Sequence, residues 1–245
     1  MIPGAAEVSA AARCLGRPLF VLMITIPLLA ASGCMERTDP GDVERGDAGQ
    51  GLSSAQETEP AIGYEEETMH VSDVTVSGDE VAVIKTPKGT IKFELFADDA
   101  PNTVASFIEL ADAGFYDGIR FHRVVPEFVV QGGDPQTKGL SGQQVAEITA
   151  RQAKGIVQPG EAHIGSGGPG WMQEAELNSR RHLKGTVAMA RSQALDSAGS
   201  QFYICLEPQA GLDGKYTVFG QIIEGMDVVE AIAVGDEIQS ITIER

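Results

Sequence analysis

From residue 81 onward, apolar and polar residues alternate. Val81, Ala82, Val83 and Ile84 precede a Thr-Pro-Lys-Gly break at 86–89, and the alternation resumes through Ile91, Phe93 and Leu95. Two such runs around a Pro/Gly break predict a β-hairpin over 81–84 and 90–96. Pro101 then opens a stretch in which Val104, Phe107, Ile108 and Ala111 recur at i, i+3, i+4 and i+7. That spacing predicts a helix, started by a proline in its first turn and stopped at Gly114. Further strands are predicted at 120–125, 128–131, 185–190, 201–206, 217–223 and 238–243, and a second helix at 226–233 with Val228, Val229 and Ile232 as its buried side. An extra short helix fits 143–154. Many short strands with two helices predict either a closed barrel plugged by its helices or a sandwich, and the pattern alone leaves both open.

The first eighty residues follow a different pattern. Arg13 and Arg17 lead into a thirteen-residue, predominantly apolar run at 19–31, closed by the small residues Ala31, Ser32 and Gly33 directly before Cys34. The run falls short of the roughly 20 residues needed to span a bilayer, so 1–33 has the layout of a secretory signal peptide. Its Ala-Ser-Gly-Cys ending resembles a bacterial lipobox, with Ala31 where leucine is more usual and Glu7 in a long positive segment. The resemblance implies lipidation of Cys34 and an exported chain, lipid-anchored in a bacterial cell envelope. A plain secretory cleavage and a misplaced start methionine are the alternatives. Over 35–80, thirteen Asp or Glu stand against two Arg, a net of −11, with few large apolar side chains. Such a stretch does not bury enough surface to offset its ordering entropy, so 34–80 is expected to be an acidic, disordered tether. Spacing a domain from a membrane is the simpler role for it, and recruiting a basic partner the alternative.

The remaining domain, 81–245, carries 21 acidic and 14 basic residues, and its basic residues are scattered. A net of −7 with no basic-aromatic stripe argues against nucleic-acid binding. His70, His122, His163 and His182 are not at metal-ligand spacing and no cysteine pair joins them, so neither metal nor cofactor is expected. With Cys14 in the signal and Cys34 at the cleavage point, Cys205 is the domain's single cysteine and no internal disulfide is expected. Its apolar strand makes it a small buried hydrophobe.

Residues 121–134 read FHRVVPEFVVQGGD, residues 197–206 read SAGSQFYICL, and residues 212–220 read LDGKYTVFG. An arginine, an aromatic and a carboxamide within nine residues (Arg123, Phe128 and Gln131), followed by Gly132 and Gly133, resemble the motif of the cyclophilin family of peptidyl-prolyl isomerases. The other two segments resemble further strands of the same family, in the same order. The likeness covers 81–245 and leaves an insertion near 136–164. It implies a mainly β fold, a closed eight-stranded antiparallel barrel capped by two α-helices. It also implies a substrate groove on the outer face of the barrel, because the interior is filled with apolar side chains.

The reaction implied is rotation about an Xaa-Pro bond, against a barrier of roughly 18–20 kcal/mol. As the amide twists, the prolyl nitrogen becomes pyramidal and its lone pair localises. A donor aimed at that nitrogen therefore binds the transition state better than the planar ground state. Arginine suits the task because it is always charged and offers a rigid fork of donors. The resemblance gives that role to Arg123, with Gln131 holding the guanidinium or the substrate carbonyl. Phe128, Val129, Tyr203 and Leu212 would form the proline pocket, and Gln201 with the Ala190 and Arg191 backbone would hold the peptide extended. Tyr216 would present an edge to the groove. Val129, Tyr203 and Arg191 replace a more usual methionine, phenylalanine and asparagine. Gly211 replaces the tryptophan that helps sensitive members bind cyclosporin, so weak cyclosporin binding is expected. Partners are then Pro-containing peptides and unfolded exported proteins, met by a monomer. A non-catalytic module that binds Pro-containing segments of an envelope partner is the alternative function. Gly165–Trp171 reads as a glycine-rich loop near the groove, too irregular for a phosphate cradle, and Trp171 as packing rather than recognition.

Overall fold

The alternating segments form one eight-stranded antiparallel sheet in the computed structural model, which describes residues 69–245. The strands are β1 Val81–Thr86, β2 Gly89–Leu95, β3 Arg123–Val125, β4 Val129–Gly132, β5 Thr186–Met189, β6 Phe202–Cys205, β7 Val218–Glu224 and β8 Ser240–Glu244. Their order across the sheet is β3-β4-β6-β5-β7-β2-β1-β8. Closure of a barrel by a ladder between the two edge strands, β3 and β8, is not observed among the described residues. Residues 118–121 instead exchange backbone hydrogen bonds with residues 235–238, including Phe121 N–H to Asp236 O and Ile238 N–H to Ile119 O, both 2.8–2.9 Å. These bonds lie between the segments that lead into β3 and β8, so the sheet curls without a strand ladder joining its edges.

Three α-helices accompany the sheet: α1 Pro101–Asp112, α2 Gly142–Gln152 and α3 Met226–Ala231. Helix α1 begins on Pro101 and buries Val104, Phe107, Ile108 and Ala111, the stripe read from the sequence. Phe107 sits at the centre of the core, with ring centroids of Phe93, Tyr116, Phe202 and Phe219 5.3–5.8 Å away. Rings at these distances and inclined to one another add attraction beyond their buried area. Helix α2 belongs to the insertion. Its Ser141 forms a reciprocal capping box with Gln144, and its buried Val145 and Ile148 pack with Ile164 as a small cluster apart from the main core.

Strand side chains divide between the two faces of the sheet, as the pleat requires. Val130, Val187, Met189, Phe202 and Ile204 enter the main core, whereas their neighbours Val129, Ala188, Tyr203, Cys205 and Val218 form a second cluster on the opposite face. Both faces of the central strands are therefore apolar, and the second face carries the candidate site.

The signal-like segment, Cys34 and the tether up to 68 lie outside the described residues. Residues 69–80, at the end of the expected tether, pack on the domain. Val74 and Val76 lie against the main core, Ser72 N–H donates to Asn102 Oδ1 at 3.0 Å, and His70 stacks on Trp171 with centroids 3.8 Å apart. Burial alone would raise the pKa of Glu80, but hydrogen bonds from the Ser77 backbone and hydroxyl and the Gly78 N–H hold it at about 2. Acid content outweighed these two valines in the sequence reading, although Val74 and Val76 already alternate as a strand would.

Two buried imidazoles set a pH dependence. Burial lowers the pKa of both His122 and His182 from the ordinary 6.5, against the opposing charges of Asp134 and Asp213 respectively. In the unfolded chain each takes up a proton near 6.5, so below that pH the unfolded state binds more protons and stability falls as pH falls. The melting temperature is expected to drop by roughly 5 °C between pH 7.5 and 5.5. Scanning calorimetry across that range checks it, and a flat profile would contradict neutral burial of the two rings.

Candidate active site

The site begins with a strand, a turn and a strand. Arg123 on β3 pairs directly with Gln131 on β4, which places the two side chains on one face although eight residues separate them. The turn between them carries Glu127 at φ 61°, the single non-glycine residue with positive φ among the described residues. Phe128 follows it, and its ring centroid lies 5.5 Å from the Arg123 guanidinium carbon. Gln131 also pairs with Tyr203 on β6, which pairs with Ala188 on β5, which pairs in turn with Val218 on β7. One cross-strand row thus runs from an exposed cation to an apolar floor.

Arg123, Phe128, Val129, Gln131, Ala190, Arg191, Tyr203, Leu212 and Tyr216 line one open cavity of about 230 Å³. Nine of the ten groove residues read from the sequence therefore meet there. The tenth, Gln201, lines an adjoining cavity of about 950 Å³ that shares Gln131, Ala190 and Arg191 with the first. A carboxamide chain connects the two. Arg123 Nη1 donates to Gln131 Oε1 at 3.5 Å, Gln131 Nε2 to Gln201 Oε1 at 3.0 Å, and Gln201 Nε2 to Gly167 O at 2.8 Å. The first of these contacts is long, so the guanidinium is oriented by Gln131 yet keeps most of its donors for a ligand.

Other polar groups in the groove are already engaged. Arg191 donates to the carbonyls of Ser192, Gln193 and Lys215 and lies over the Tyr216 ring at 4.9 Å, so its side chain ties the groove wall together. The Ala190 N–H donates to Gln201 O at 2.8 Å. Tyr203 and Tyr216 meet edge to face at 5.8 Å. Burial pushes the Cys205 thiol up to about 12, so it stays a thiol beneath the floor.

The larger cavity holds residues the sequence reading did not assign to the site: Met69, Met172, Ser197, Ser200 and the glycines of the 165–170 loop, with Trp171 on its wall. Asp134 anchors this loop, accepting hydrogen bonds from the Gly165 and Gly167 N–H groups. The QGGD end of the first motif carried the signal for that anchor, whereas nothing local in the sequence brings Met69 there. No group of three or more His, Cys, Asp or Glu side chains suited to a metal ion occurs among the described residues.

Comparison with known proteins follows the same boundaries. A family model described as "Cyclophilin type peptidyl-prolyl cis-trans isomerase/CLD" matches residues 81–245. A peptidyl-prolyl cis-trans isomerase of Synechococcus elongatus is 42% identical over 164 residues, covering 66% of this chain and 94% of its own. Peptidyl-prolyl cis-trans isomerase B of Bacillus subtilis is 38% identical over 156 residues, covering 63% of this chain and 90% of its own. Among solved structures, a Cryptosporidium parvum cyclophilin type peptidyl-prolyl cis-trans isomerase in the presence of the dipeptide Ala-Pro superposes with a TM-score of 0.53 at 25% identity, covering 67% of this chain and 99% of its own.

Proposed function

The chain belongs to the cyclophilin-type peptidyl-prolyl cis-trans isomerases, and we propose that it turns Xaa-Pro bonds in the groove around Arg123. The proline ring of the substrate enters the pocket of Phe128, Val129, Tyr203 and Leu212, and Arg123 donates to the prolyl nitrogen as the amide twists. Gln131 steadies the guanidinium, and Gln201 with the backbone of Ala190 and Arg191 aligns the peptide along the larger cavity. The observation that carries this reading is the charged fork of Arg123 beside an apolar pocket, lightly restrained by Gln131. The relative that was crystallised with Ala-Pro supports a Pro-containing peptide as ligand. A rate gain of about 10⁵ needs about 7 kcal/mol of differential stabilisation, within reach of a positioned charged donor in a partly dry groove.

Exchange spectroscopy by NMR on an Ala-Pro test peptide, with the full chain, tests the assignment. Accelerated cis/trans exchange is expected. Peptide binding without acceleration would leave the non-catalytic binding module instead.

The clients proposed are exported proteins whose slow folding step is proline isomerisation, reached by a chain lipid-anchored through Cys34. The small-residue run before Cys34 and the acidic stretch after it support this. Expression with a clickable fatty acid is expected to label the full chain and not Cys34→Ser, and an unlabelled wild-type chain would sink the anchor.

Gly211 lies in the short 3₁₀ turn Ala210–Leu212, and a Cβ there would meet open space. Weak cyclosporin binding is expected, and Gly211→Trp is expected to tighten it by at least about tenfold, since it adds a wall that the turn accommodates. Titration calorimetry reads the difference, and equal affinities would mean that this turn does not border the inhibitor.

A further inference from the structure

Tyr203 brings a polar group to an otherwise apolar pocket, and its hydroxyl has a specific partner. It lies 2.9 Å from Nε2 of His182, whose ring is nearly parallel to the tyrosine ring at a centroid distance of 6.0 Å. The His182 side chain is fully buried. Its Nδ1 lies 3.1 Å from Oδ1 of Asp213, and the same oxygen accepts the backbone N–H of His182 at 2.8 Å. A carboxylate only accepts, so Nδ1 carries the ring proton, and Nε2, left bare, accepts from the tyrosine hydroxyl. Asp213 directly follows Leu212, another residue of the pocket wall. His182 therefore links the β6 wall to the turn that carries Leu212, while lining neither cavity itself.

We propose that His182 is a positioning residue for the isomerase reaction: with Asp213 it keeps the hydroxyl hydrogen of Tyr203 turned away from the proline ring, and only while its imidazole is neutral. The inference rests on the proline pocket assigned above.

The groups around the pair leave His182 as the one that changes state in mild acid. Asp213, its partner, is held below the usual carboxylate range chiefly by the His182 backbone N–H, with Arg181 contributing. Burial pushes the Tyr203 phenol and the Cys205 thiol up, so both stay protonated, with Tyr216 and Arg191 also facing Tyr203. Burial lowers the pKa of His182 against the charge of Asp213, so its ring is neutral at neutral pH. Once it is protonated, Nε2 becomes a donor and can no longer accept. The hydroxyl must then accept from the ring and turn its own hydrogen toward the pocket. An unpartnered donor against an apolar proline ring weakens binding in ground and transition states alike, which raises KM and spares kcat.

The test follows KM and kcat of the full chain on an uncharged, end-capped Ala-Pro peptide from pH 7.5 to 5.0, for wild type, Tyr203→Phe, His182→Leu and the double variant. Wild-type KM is expected to rise about tenfold toward pH 5.0, and the Tyr203→Phe profile to stay flat within about twofold. At pH 7.5, His182→Leu is expected to raise KM in the tyrosine background and not in the phenylalanine one, because no hydroxyl is then left without its acceptor. Coincident pH profiles for wild type and Tyr203→Phe would overturn the inference. That comparison leaves His182 in place, so it decides even if His182→Leu fails to fold. An Arg123→Ala variant run alongside separates the two levels. Exchange that survives it removes the pocket assignment and this inference together, whereas exchange that depends on Arg123 with a KM indifferent to pH removes this inference alone.

Discussion

Arg123→Ala is expected to lower kcat/KM on an Ala-Pro peptide by about 10²- to 10³-fold, nearly all of it in kcat, while the domain stays folded. A donor that acts on a developing lone pair is worth about 2.7–4 kcal/mol when removed, and little of that is present in the planar ground state. KM should therefore hold while kcat falls. Stability should hold too. Arg123 is exposed on the edge strand β3, its single side-chain hydrogen bond among the described residues is the 3.5 Å contact to Gln131, and its guanidinium lies 5.5 Å from the Phe128 ring. Contacts of that kind are worth little at a surface. Arg123→Lys keeps the charge and loses the fork, so its rate is expected between the two. Exchange spectroscopy gives the rates and circular dichroism the fold. An alanine variant that keeps more than about a tenth of the wild-type rate would mean that the pocket works by desolvation and geometry without the guanidinium.

Part of this site was legible in the sequence for a physical reason. A short strand, a turn and a returning strand bring residues eight apart face to face, so the Arg123–Gln131 pair is a local feature. Helix α1 was equally plain, because one stripe of Val104, Phe107, Ile108 and Ala111 faces one core. The far wall was different. Tyr203 joins the site through strand pairing with Gln131, Leu212 and Tyr216 through the turn and loop that precede β7, and resemblance rather than periodicity placed them there. Neither route gave a role to His182, which lies outside the three motif segments, or to Asp213, which lies inside LDGKYTVFG 31 residues on; their meaning comes from the buried hydroxyl between them and the groove. Closure of the sheet was not legible, because strand counting does not say whether two edges meet in a ladder or through the loops before them. Net acidity summed over a whole stretch says little of residues 69–80, where packing is decided by individual side chains such as Val74 and Val76.

Gly133→Ala is expected to destabilise the domain by about 3–5 kcal/mol, a large share of the roughly 5–15 kcal/mol that holds a typical domain folded. Gly133 has φ 89°, and a Cβ there would stand 2.3 Å from the Ser200 carbonyl oxygen and 2.9 Å from Gln201 Cα. Both are backbone atoms held from elsewhere. Ser200 Oγ donates to Gly133 O at 2.7 Å, and the Tyr116 hydroxyl donates to Ser200 O at 3.3 Å, so neither strand can yield alone. Relief would require β4 and β6 to part where the Gln131–Gln201 hydrogen bond crosses between them, and the orientation of Arg123 would go with it. Gly139 provides the comparison, with φ 80° and nothing within 4 Å of a Cβ. Its alanine variant carries the left-handed backbone cost alone, about 1–2 kcal/mol. Urea denaturation of both variants, with midpoints compared at unchanged slope, isolates the close approach from the backbone angle. Equal losses would mean that the backbone angle alone requires glycine after Gly132, and that the contact between Gly133 and Ser200 yields more readily than its hydrogen bonds imply.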